Sequence, residues 1–225
     1  MPLTRRTLLG TGVALAATRV EAVAAGRDGG AGPAAPAWCG DRMPPIPPER
    51  QTELQKQASA EFLAGRATPV FGPFVPLLRS PEVMLRAKAM GDYLRYKSSL
   101  PPKLNELAIL LTARHWSQSY EWAVHQPLAL KAGVSAEVAS AVAEGRRPGA
   151  LDEAEQAVHD FVTELLNHQA VSDATYQAAV RRFGEQGTID LISVCGYYAF
   201  LALVLNVART PAPQGAPSLP AFVCA

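Results

Sequence analysis

The sequence predicts an all-α fold, a compact helical bundle, and three observations carry that prediction. Apolar residues recur at helical spacing through most of the chain, and no useful length alternates with the period of two that a half-buried strand requires. Serine and proline stand where helices would begin and glycine where they would end. The connections between helical stretches are short, as in a bundle of neighbouring helices.

Residues 1–25 read as an export signal rather than as part of the fold. Thr4-Arg5-Arg6-Thr7-Leu8-Leu9 sets paired arginines before an apolar stretch, Leu8 to Ala17, and Ala22-Val23-Ala24 supplies small residues for a signal peptidase. The arginine pair points to the twin-arginine route, which places the mature protein in the periplasm or outside the cell. The apolar stretch is too short to cross about 30 Å of hydrocarbon. Cleavage removes three arginines and one glutamate, taking the formal charge from +1 to −1. A near-neutral chain with no basic run interleaved with aromatics is not expected to bind nucleic acid.

Residues 26–48 are rich in Gly, Ala and Pro and read as a linker or extended arm. The helical domain is expected over residues 49–210, followed by a Pro-rich tail, 211–225. A first helix runs from Glu49 and stops at Gly65. Ser80 is a candidate N-cap with Pro81 at the first helical position, opening a helix to about Lys97. Ser99-Leu100-Pro101-Pro102 opens the next, to about Trp116; another spans Ser119 to Gly133, and a short one begins at Ser135. Leu151 to His168, Ser172 to Phe183, and about Gln186 to Ala208 complete the set.

The last helix is unusual. No charge occurs between Asp190 and Arg209, a stretch of 18 positions that qualifies on length as a membrane span. Ser193, Tyr197, Tyr198 and Asn206 are scattered through it, the pattern of a core or subunit-interface helix, so no stable span is expected. The three cysteines are far apart. Cys39 and Cys224 flank the domain and in an oxidising compartment could bridge, closing a loop worth up to about 5 kcal/mol. Cys195 lies within the apolar helix and reads as a buried small hydrophobe.

Chemistry points to two neighbouring helices. Leu104-Asn105-Glu106-Leu107-Ala108-Ile109-Leu110-Leu111 is apolar nearly all round, so Glu106 is expected in a buried setting where a carboxylate must be paired or have a raised pKa. In Tyr120-Glu121-Trp122-Ala123-Val124-His125, Glu121 and His125 stand four apart and share a helix face. If the two helices are antiparallel, Glu106 approaches both and the trio can serve as a general acid–base set. The same residues could equally be structural: Glu121 favoured by the helix dipole, His125 paired with it, Glu106 neutralising Arg114. They could also supply two or three metal ligands, but the four histidines form no dense set and no metal is expected.

Glu106-Leu107-Ala108-Ile109-Leu110, Ala113-Arg114 and Tyr120-Glu121-Trp122-Ala123-Val124-His125 resemble the core of the carboxymuconolactone decarboxylase family, whose superfamily includes the alkyl hydroperoxide reductase D proteins. The likeness extends from about residue 70 to 210. It implies an all-α bundle assembled as a trimer or hexamer, with its site between helices near a subunit interface and no metal or organic cofactor. The family's peroxidases carry Cys-x-x-Cys-x-x-x-His; aligned on His125, the cysteine positions are Gln118 and Glu121, so a dithiol mechanism is excluded. The resemblance implies catalytic roles for His125 as proton donor or hydrogen-bond partner of the anion, Glu121 as its orienting partner and Glu106 as a second acid or base. Tyr120 and Trp122 would wall the substrate site. The expected function is an exported, cofactor-free decarboxylase or lyase acting on a small organic acid or lactone. The alternatives are a non-catalytic oligomeric small-molecule-binding protein and peroxide reduction through Cys195 alone.

Overall fold

The computed structural model describes residues 40–64 and 68–220. The export signal, most of the linker, Gly65, Cys39 and Cys224 lie outside them. Eight α-helices follow in order, and no strand occurs among the described residues: α1 Glu53–Leu63, α2 Phe74–Leu77, α3 Pro81–Tyr96, α4 Pro102–His115, α5 Ser119–Ala132, α6 Ala136–Ala143, α7 Glu153–His168 and α8 Asp173–Ala208.

The first helix starts later than its sequence suggests. Pro48–Arg50 forms a short 3-10 turn, and Thr52 then opens α1 with a capping box, its hydroxyl accepting from Gln55 N while Gln55 reciprocates to Thr52 N. Ser80 does occupy the position before α3, but its side chain makes no capping hydrogen bond, and Pro81 at the first position sets the start alone. The two helices expected at the C-terminus are joined end to end in α8, with Gly184 (φ 71°, ψ 176°) breaking the helical geometry between them.

The core is organised around α4, which packs against α5, α7 and α8. Leu107, Ile109 and Leu110 are fully buried, each contributing roughly 1.5–3 kcal/mol by burial. The turn into α4 is fixed from outside: buried Asp190 on α8 accepts from Ser99 N and Ser99 Oγ, both at 2.8 Å, and from Tyr93 Oη at 3.2 Å. Residues 41–48 are ordered against the domain by hydrogen bonds: Arg42 N donates to Ala208 O at 2.7 Å, and Arg79 Nη2 to Pro44 O at 2.8 Å. Met43 and Ile46 of this stretch are half-buried, and the helices supply the hydrogen-bond partners. α8 is long and apolar enough to cross a membrane by length and composition, and half of its most apolar window is buried in the domain.

Candidate functional site

The α4–α5 connection decides which side chains meet. Ser117 takes a left-handed φ of 48°, and Gln118 caps α5, its side chain accepting from Tyr120 N at 2.5 Å. Gln118 Nε2 donates to Asn206 Oδ1 on α8 at 2.8 Å, and Asn206 Nδ2 donates to Trp116 O at 3.0 Å. The turn is thus bolted to α8 and sends α5 back along α4. The first of the two expected cysteine positions is therefore occupied by a residue that fixes the helix start.

The antiparallel return brings Glu106, Glu121 and His125 together, all under a tenth exposed. His125 Nδ1 lies 2.7 Å from Glu106 Oε2, while His125 Nε2 lies 3.5 Å from Glu121 Oε2. The sequence suggested Glu121 as the orienting partner; the hydrogen bond is instead to Glu106, because α4 passes closer to the ring than the next turn of α5 does. Glu121 Oε1 is buried without a hydrogen-bond partner among the described residues, and the Oε2 contact is longer than a normal hydrogen bond. Burial pushes the Glu121 carboxyl up; His125 and Arg95 partly oppose the rise and Glu106 adds to it. A carboxylic acid placed this way tends to keep its proton.

Glu121 and His125 border a cavity of about 50 Å³, more than a single water needs. Tyr120, Glu121, Val124 and His125 line one side, Tyr197 and Tyr198 of α8 another, and Lys88, Gly91 and Arg95 of α3 a third. His125 packs edge-on against Tyr198, ring centres 5.0 Å apart. Glu106 sits behind the imidazole rather than on the wall. Tyr120 takes the expected place, its ring against Gly72, where an added Cβ would fall 2.8 Å from the tyrosine and φ is +52°. Trp122 does not: it is 2% exposed and packs into the hydrophobic core. At about 100° per residue Trp122 points roughly 130° away from the middle of the face formed by residues 120, 121, 124 and 125.

Two wall residues escaped sequence reading. Arg95 stands in the last turn of α3, where a cation is ordinarily explained by the helix dipole. Only the spacing of Lys88, Gly91, Asp92 and Arg95 along one face hinted at a shared surface. Tyr198 was hidden in the apolar run of α8. Cys195, by contrast, is where it was expected: 1% exposed, its thiol pushed up to about 12 by burial, a shift that leaves it unreactive. Among the described residues no three His, Cys, Asp or Glu side chains are grouped so as to hold a metal ion.

Comparison with known proteins falls on the same helices. Residues 81–164 match the carboxymuconolactone decarboxylase family. That stretch runs from α3 into α7 and contains Arg95, Glu106, Tyr120, Glu121 and His125, so the family resemblance holds over residues 81–164 of the expected 70 to 210, while Phe71, Phe74, Tyr197 and Tyr198 of the cavity wall lie outside the match. No curated protein matches the chain in sequence. Among solved structures, a variant of the debrominase Bmp8 in complex with 2,3,4-tribromopyrrole superposes with a TM-score of 0.60 at 12% identity, covering 76% of this chain and 91% of that one. The apo form of the same debrominase gives 0.58 at 12% identity, covering 76% and 92%. These neighbours share the fold of this family-matched chain.

Proposed function

We propose that the protein is a cofactor-free acid–base enzyme of the decarboxylase or lyase kind, acting on a small organic acid or lactone. One observation supports this above the others: a buried carboxyl, Glu121, whose Oε1 has no hydrogen-bond partner among the described residues, borders the same cavity as a buried histidine that a second carboxyl holds at 2.7 Å. Leaving a buried polar group unmet costs about 1–3 kcal/mol, a cost that a ligand in the cavity could offset by meeting Glu121.

The chemistry follows from the distances. Loss of carbon dioxide leaves the bonding electron pair on carbon as an enolate-like anion, which takes a proton. Glu121, kept protonated by burial, delivers that proton and becomes a carboxylate. His125, 3.5 Å away through Nε2, returns a proton to it, and solvent restores the histidine. Glu106 fixes the imidazole through Nδ1, so the roles given to the two glutamates by the sequence are exchanged. Tyr198 and Tyr120 keep the cavity narrow and exclude bulk water. Export through the N-terminal signal and assembly into a homo-oligomer belong to this proposal as well.

The test is a screen of small carboxylic acids and lactones for carbon dioxide release or ring opening, repeated with His125→Gln and Glu121→Gln. Each substitution should slow turnover by about 10²-fold or more while leaving the helical circular dichroism intact. Rates equal to the native protein would overturn the assignment.

A further inference from the structure

Two cations border the cavity, and they differ. Lys88 Nζ is neutralised by Asp92 at 2.9 Å. Arg95 makes no hydrogen bond or ion pair to any described residue; its guanidinium carbon lies 5.6 Å from the centre of the Tyr96 ring, a stacking contact that satisfies none of its five N–H donors. The side chain is half-buried, so water cannot solvate all of it. Glu106 and Glu121 lie within its field without touching it; Glu106 is taken up by His125, and burial favours the neutral form of Glu121. The adjoining wall presents Tyr198, 3% exposed, whose hydroxyl also makes no hydrogen bond to a described residue.

We propose that Arg95 is the anion-binding and specificity-determining residue of the cavity, gripping a carboxylate of a small ligand through its guanidinium fork. This rests on the cavity being the substrate site. Planar two-point pairing is what an unmet guanidinium does best, and a lysine or an amide cannot reproduce it. The Tyr198 hydroxyl is placed to supply one more donor. A carboxylate so held is stabilised as an anion, so the gripped group is a handle and not the group that leaves. The substrate then carries its reacting bond elsewhere, toward Glu121 and His125. Arg95 becomes the reason that an acid enters and a neutral molecule of the same shape does not.

The experiment uses the full chain and two isosteric probes, crotonate and crotonamide, titrated calorimetrically. The native protein should bind crotonate about tenfold or more tightly than crotonamide. Arg95→Gln should bring the two within about twofold, and Arg95→Lys should restore part of the preference. A native protein that binds both equally, or does not bind crotonate, overturns the proposal, as does an Arg95→Gln protein that keeps the full preference. Independently of any variant, crotonate and not crotonamide should protect Arg95 from phenylglyoxal, read by peptide mass; equal or absent protection also overturns it. Neither measurement reads turnover. Crotonate binding through Arg95 without catalysis keeps this assignment and defeats the acid–base reading, whereas turnover with unchanged KM in Arg95→Gln does the reverse.

Discussion

Two buried histidines among the described residues, His125 and His159, each meet a carboxylate, and the two settings differ in charge balance. His125 meets Glu106 at 2.7 Å between α4 and α5; His159 meets Asp160 at 3.2 Å on α7. Both imidazoles are buried. The carboxylates differ. The Asp160 side chain is 39% exposed and takes the Arg147 guanidinium on both oxygens. Burial would raise its pKa, but the hydrogen bonds from Arg147 and His159 outweigh this and hold it below the ordinary range. Around His125 the balance is reversed: the nearest cation, Arg95, touches neither glutamate, and Glu121 is driven up. The same residue types make a charge-satisfied cluster in one place and an unsatisfied one in the other. What separates them is where the counterion sits.

The largest expected effect tests that separation directly. Glu106→Ala removes one partner of a buried pair and should destabilise the protein by about 3–5 kcal/mol. Asp160→Ala, at a solvent-screened pair, should cost about 1 kcal/mol or less. Denaturant unfolding of both variants against the native chain measures the difference. Equal losses would mean that the two clusters play the same structural part.

Part of this contrast was legible in the sequence and part was not. The all-α class was legible because α4, α5 and α7 keep helical spacing, and because Pro81 and Gly133 mark real ends. Glu106 and His125 were legible because a carboxylate in an apolar helix has few ways to be satisfied. That His125 bonds to Glu106 rather than to Glu121 was not, since i, i+4 spacing says that two side chains can meet and not how closely. Nor was Trp122: a large aromatic beside site residues can face either way, and only the packing of α5 against the core decided it. Arg95 comes from a helix that no local signal ties to the site. It reaches the cavity because α3 packs on α8, a long-range fact that spacing along one helix does not contain.

A second comparison sharpens the first from the packing side. At Gly91 on the cavity wall an added Cβ would lie 2.3 Å from Tyr197 Oη, whereas at Gly149, in the loop beyond Arg147, it would meet nothing within 4 Å. Gly91→Ala forces Tyr197 to shift and should cost about 1–3 kcal/mol. Gly149→Ala should stay within about 0.5 kcal/mol of the native protein. Thermal unfolding of the pair distinguishes a wall fitted closely to its tyrosine from one with slack; a neutral Gly91→Ala would show the slack.

The smallest effect has the most specific signature, because the two carboxyls should respond to pH with opposite signs. Glu121 has a folded-state pKa raised from 4.5 by burial, so its favourable contribution is fully present below about pH 4.5 and is lost as pH rises through the folded value. Glu121→Gln removes that loss: the variant should gain stability relative to the native chain at neutral pH and lose the advantage in acid. Asp160 has its pKa lowered from 3.8, so its contribution is present above about pH 3.8 and is lost as pH falls through the folded value. Asp160→Asn should therefore destabilise at neutral pH, by about 1 kcal/mol or less for a pair this exposed, and approach the native chain in acid. Tm measured across the acid-to-neutral range reads both curves. If the two differences from the native chain run in the same direction, Glu121 is not the uncompensated acid that the cavity chemistry requires.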